Sequence, residues 1–149
     1  MKVLLPIDGS PESDAAVVEV ASRPWPEGTT IKVVSVAENI PMGLIGLPAA
    51  YFQNLTRPLE EHARAVVDAA TSNLIRTFGD TVDVYGEVQK GSSKRLIIEE
   101  ANRWGADLIV VGSHGHGALE RFWLGSLTLF LVLHAPCSVE VVRNRSART

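Results

Sequence analysis

Apolar positions fall along this chain in two alternating patterns, short continuous runs and stripes at helical spacing. Val3-Leu4-Leu5-Pro6-Ile7 is a continuous run closed by Asp8-Gly9-Ser10, which predicts a buried strand giving way to a turn. Ser10-Pro11 then supplies an N-cap and an N1 proline, and Ala15, Ala16, Val18, Val20 and Ala21 carry a predicted helix toward Pro24. Ile31 to Val36 predicts a second buried strand. From Glu38 to Thr56 the pattern dissolves into Pro41, Gly43, Gly46, Pro48 and isolated aromatics, which predicts a long connection leaving the carboxyl end of that strand.

Periodicity returns at Pro58. Through Phe78 it predicts an amphipathic helix with Leu59, Ala63, Val66, Val67, Ala70, Leu74 and Phe78 on one face and Gly79 as its C′ residue. Val82 to Val88 alternates apolar with polar, as a strand with an exposed face or an edge position does. Ser92 or Ser93 caps a further helix carrying Leu96, Ile97, Ala101 and Trp104, and Gly105 stops it. Asp107 to Gly112 reads as a strand buried on both faces. An apolar helix from Ser126 to about His134 follows, and Val139 to Val142 after Pro136 is the last strand.

Strand and helix alternate throughout with no internal repeat. This predicts one α/β domain over residues 1–143, an open, doubly wound parallel sheet with helices on both faces, followed by a polar tail over 144–149. Ligands of such sheets sit beyond the carboxyl ends of the strands, where the strand order reverses. With the first and fourth strands adjacent there, Asp8-Gly9 and Gly112 to Gly117 face one crevice, and Val36 and Ala37 form its third wall.

The chemistry concentrates after the fourth strand. Gly112, Gly115 and Gly117 remove the Cβ atoms that keep a ligand off the backbone, and Gly125-Ser126 opens a helix whose first amides and positive dipole end suit an anion. Gly-rich turns also occur after strands with no ligand at all, so the loop gains its meaning from the helix start that follows it. It is not a P-loop, because no Gly-Lys-Ser/Thr follows, and Glu120 stands where a dinucleotide fingerprint needs its last glycine. His114 and His116 read chiefly as solvent-facing loop residues, with phosphate donation as the alternative. Asp8, at the end of a buried strand, requires a hydrogen-bonding task, to a ligand or to the turn amides.

Bulk properties change this picture little. The chain has 149 residues, 46% of them hydrophobic and 21% charged, the profile of an ordinary globular domain. A formal net charge of −3 gives no electrostatic reason to expect nucleic acid, and the arginines at 143, 145 and 148 read as a solvated end. A single cysteine, Cys137, excludes an internal disulfide and reads as a small buried residue. The N-terminal apolar run is too short for a signal peptide, and Leu127 to Leu133 is too short to span a bilayer. A cytoplasmic protein without a membrane partner is therefore expected.

Gly112-x2-Gly115-x9-Gly125-Ser126 resembles the glycine signature of the universal stress protein family, in its nucleotide-binding branch. Pro6 to Ser10 resembles that branch's first-strand turn, and the likeness extends through Gly105 to Gly112 and Ala135 to Val139. The resemblance implies a sheet of order 3-2-1-4-5, ATP or AMP in the crevice with Mg²⁺ held through its phosphates, and a homodimer formed partly by the last strand, Val139 to Arg143. Pro6, Ile7, Asp8 and the backbone at Val36 are then expected on the base side, and Val111 and Gly112 at the ribose. Gly115, Gly125, Ser126 and Thr128 are expected at the phosphates, with His116 and Leu127 beside them. Two departures stand out: Leu127 replaces a frequent valine, and Leu129 to Leu133 make the last helix apolar nearly all round.

A nucleotide-dependent regulatory role is the leading expectation. Slow ATP hydrolysis and a nucleotide-free interaction module are the alternatives, and the absence of a paired carboxylate and base at recognisable spacing ranks turnover as weak.

Overall fold

A computed structural model describes residues 1–39, 49–114 and 124–144, with the backbone alone for 49–52. The elements are β1 (Lys2–Pro6), α1 (Pro11–Ala21), β2 (Thr30–Glu38), α2 (Ala49–Phe78), β3 (Asp83–Gly91), α3 (Ser93–Trp104), β4 (Leu108–Gly112), α4 (Ser126–His134) and β5 (Ser138–Val142). A 3₁₀ turn, Gly79–Thr81, links α2 to β3. All five strands run parallel in the order β3-β2-β1-β4-β5, as expected. The order reverses between β1 and β4, which places the predicted crevice at their carboxyl ends.

Alternation along each strand divides the interior into two layers. Val3, Leu5 and Ile7 of the first strand and its turn, with Ile31, Val33 and Val110, pack under α1 and α2 through Ala16, Val17, Val20, Val67 and Leu74. Leu4, Val34, Ile109 and Val111 pack on the opposite face against Ile97 and Ala101 of α3 and Leu131 of α4. Each such side chain removed from water contributes about 1.5–3 kcal/mol before conformational entropy is subtracted.

Several boundaries differ from the sequence expectation, each for a local reason. Helix α2 starts at Ala49 rather than Pro58, so much of the expected Glu38 to Thr56 connection is helical. Pro58 lacks the N–H that would bond the carbonyl four residues earlier, which makes it look like a first-turn residue although it lies inside the helix. Strand β2 continues to Glu38 because β3 pairs with it through Gly91. In α1 the buried positions are Ser13, Ala16, Val17 and Val20, while Val18 is exposed. Helix α4, by contrast, runs Ser126–His134 as expected, with Gly125 as its N-cap. Among the described residues no helix is long and apolar enough to cross a membrane.

Candidate functional site

The turn after β1 is satisfied almost entirely by its own residues. Ser10 caps α1 by accepting from the Ser13 amide at 3.2 Å, and the Ser13 hydroxyl donates to the Ser10 carbonyl at 3.0 Å. The same Ser13 oxygen accepts from the amides of Gly9 at 3.1 Å and Asp8 at 3.4 Å. The Asp8 carboxylate accepts from the Ser10 amide at 2.9 Å. Three consecutive amides are thus committed within the turn, so this wall is not an anion nest.

The other wall has the opposite character. Gly125 offers no side chain to cap α4, and the first amides of an α-helix have no intrahelical acceptor, so among the described residues the N–H groups of Ser126, Leu127 and Thr128 meet no acceptor. This end is fixed against the sheet by two bonds. The Gly125 amide donates to the Ser113 carbonyl at 2.8 Å, and the buried Thr128 hydroxyl donates to the Gly112 carbonyl at 2.8 Å. The Thr128 proton therefore serves the strand end. The Ser126 side chain is exposed, whereas Leu127 packs partly against the core layer shared with α3.

Gly112 sits where the two walls meet. A Cβ there would stand 2.6 Å from the carbonyl carbon and oxygen of Glu12 and 2.9 Å from the Ser13 amide nitrogen. Glycine at this point lets the start of α1 lie against the end of β4. Val36 and Val111 border the same carboxyl ends but pack into the α3–α4 layer, and Ile7 packs into the other. Pro6 ends β1, paired with Val34. Of the sequence-derived site residues, Pro6, Ile7, Asp8, Val36, Val111, Gly112, Gly125, Ser126, Leu127 and Thr128 are thereby placed at one end of the sheet. Gly115 and His116, with Gly117, lie outside the described residues.

Residues that the sequence reading ranked low or missed also lie here. His114, expected to face solvent, has a buried Nε2 atom that meets no hydrogen-bond partner among the described residues, while its Nδ1 lies 3.1 Å from the Ser113 hydroxyl. An orphaned ring nitrogen at the top of β4 has the chemistry of a group awaiting a polar ligand. From α2, His62 Nε2 lies 3.2 Å from the Asp8 carbonyl. Glu38 accepts from the Ser93 amide at 3.0 Å and from the Ser93 hydroxyl, thereby capping α3, where Ser92 occupies the N-cap position but makes no side-chain bond. Isolated histidines and glutamates carry no spacing signal, so only the fold brings them to this end. Burial pushes the Cys137 thiol above its usual range, with a smaller contribution from Asp107, which keeps it unreactive. Among the described residues no group of three His, Cys, Asp or Glu is placed to hold a metal ion.

A model of the universal stress protein family matches residues 1–143. This chain belongs to that family. Universal stress protein A homolog 1 of Coxiella burnetii is 30% identical over 143 residues, covering 94% of each chain. The solved structure of universal stress protein UspA from Lactobacillus plantarum superposes with a TM-score of 0.80 at 26% identity, covering 96% of this chain and 97% of that one. A universal stress protein family member from Arabidopsis thaliana, solved with AMP bound, shares the fold at a TM-score of 0.66 and 18% identity, over all of this chain and 95% of its own. Universal stress protein family membership thus accounts for the doubly wound sheet and its strand order.

Proposed function

We propose that this universal stress protein binds an adenine nucleotide, ATP or AMP, between the β1 turn and the start of α4, and that occupancy regulates a homodimer. The observation that carries the reading is the uncapped first turn of α4, held against β4 by the Gly125 and Thr128 hydrogen bonds. Backbone amides so oriented suit phosphate oxygens without a lysine. The amides of Ser126 and Leu127, with the Ser126 hydroxyl, take the phosphates, and His114 Nε2 supplies a further donor. Asp8 serves the base side because the amides of its turn are already committed. The AMP-bound Arabidopsis relative supports adenine as the base. Any Mg²⁺ is held through the phosphates.

The dimer contact proposed is the outer edge of β5, Val139 to Arg143, beside the exposed Leu129, Val132 and Leu133 of α4. No acid–base pair in the described site favours turnover, so regulation rather than hydrolysis is the role assigned.

Isothermal titration of the purified protein with ATP and AMP tests the site. Saturable binding in the wild type is expected, weakened at least tenfold in Gly125→Ala, whose added methyl stands at the mouth of the helix. Residue 125 has a φ of −56°, which alanine adopts freely, so the variant keeps its backbone. Equal affinity in the two proteins would remove α4 from the site.

A further inference from the structure

The Asp8–Gly9 peptide is held at both its polar ends by the two helices on one face of the sheet. Its N–H group, on Gly9, donates to Ser13 of α1, and its carbonyl, on Asp8, faces His62 of α2 at 3.2 Å. A carbonyl only accepts, so His62 Nε2 carries the proton. Contact with α2 is close enough that a Cβ on Gly9 would stand 2.9 Å from Val66 Cγ2 and 3.2 Å from His62 Nε2, and the residue's φ of +79° also favours glycine. The Asp8 carboxylate, held by the Ser10 amide at 2.9 Å, projects from the residue that begins this peptide.

Helix α2 also reaches past the turn. Thirty residues span about 45 Å at 1.5 Å per residue, whereas the nine-residue strands beneath it span about 30 Å. Among its described side chains the buried positions begin at Ala63, so the turns just before it reach past the carboxyl end of the sheet. Leu55 and Leu59 lie seven and three residues before His62, on the stripe that meets Gly9, and both are exposed.

We infer that His62 is the positioning residue of the base subsite, fixing the Asp8–Gly9 peptide, and that Leu59 one turn away forms the outer wall against which a purine ring packs. This rests on the adenine-nucleotide reading and adds α2 to a site otherwise built from β1, β4 and α4. It also gives α2 a way to sense the base, since the element that holds the turn is the one that overhangs the ligand.

The test is calorimetry with ATP and AMP on the wild type, His62→Ala, His62→Gln, Leu59→Ala and Ser126→Ala, with the melting temperature of each nucleotide-free protein. Because one hydrogen bond is at stake, His62→Ala is expected to weaken ATP and AMP by the same factor, roughly five- to tenfold. His62→Gln, whose amide donates to the same carbonyl, restores most of the loss, and Leu59→Ala weakens both ligands without shifting the unliganded melt. Ser126→Ala, on the phosphate side, costs ATP more than AMP. Unchanged affinity in His62→Ala, no rescue by glutamine, or a loss confined to ATP would each overturn the assignment while leaving nucleotide binding intact. A wild type that takes up neither nucleotide would overturn the adenine reading itself, and this inference with it.

Discussion

Gly112 shows how a residue that looks like part of a ligand loop can be required by packing. The atoms a side chain would meet there are the backbone of Glu12 and Ser13 at 2.6–2.9 Å, which cannot rotate away. Gly112→Ala is therefore expected to destabilise the protein by about 2–3 kcal/mol, in the range of core overpacking. Differential scanning calorimetry reads this as a melting temperature lowered by roughly 5–10 °C for a chain of this size. A variant that melts like the wild type would mean that α1 does not lie on β4 as described. In sequence the residue is one glycine among several in a suggestive spacing. Its neighbour across the gap is a hundred positions away, so its cause was not legible there.

At the scale of elements, the sheet and α3 share a buried charge network that no periodicity announced. Lys32 of β2 and Glu100 of α3 are paired, with side chains 5% and 2% exposed, and Glu87 of β3 bonds the same ammonium at 2.8 Å. Arg103 closes the network onto Glu100, and the rings of Tyr85 and Trp104 lie 5.3 and 5.6 Å from the Lys32 ammonium. Burial pulls the Lys32 pKa down, but hydrogen bonds to Glu100 and Glu87 outweigh it and leave the value raised. The Lys32 hydrogen bond, opposed by burial, holds Glu87 below the ordinary glutamate range. The stability Glu87 contributes is complete above its unfolded-state pKa and is lost as pH falls through the lowered folded value. The Lys32 contribution is complete below the ordinary lysine pKa and disappears as pH rises through the raised one. Urea denaturation across the acid range is expected to show a stability decline that Glu87→Gln flattens; parallel curves would refute the coupling. Glu100→Ala, which removes the buried partner of Lys32 and leaves that ammonium only the half-exposed Glu87, is expected to cost up to about 3–5 kcal/mol, with much of that recovered when Lys32→Met is added.

For the whole molecule, the apolar surface of α4 is the feature that bears on assembly. Leu133 is 67% exposed, and Leu129 and Val132 are each 47% exposed, next to β5 at the edge of the sheet. On the other side of β5, Arg23 ties the end of α1 to Glu140, which braces that strand from within its own chain. If the proposed dimer uses this edge, Leu133→Glu places a charge in its apolar centre and should convert dimer to monomer in light scattering, with the melting temperature of the fold little changed. A wild type that stays monomeric at high micromolar concentration would remove the dimer from the proposal.

The order of strands and helices, the parallel class of the sheet and the family were already contained in the sequence, because hydrophobic period, capping residues and glycine spacing are local signals and each element obeys them. The start of α4 at Ser126 was legible for the same reason. What the tertiary structure decided were matters of distance between residues far apart in the chain. It extended α2 past Pro58, committed the Asp8 turn amides to Ser13 and the turn itself, sent the Thr128 proton to Gly112, and brought His62 onto Asp8. A hydrogen bond is formed where two groups meet in space, and the order of residues along a chain fixes that meeting only after the chain has folded.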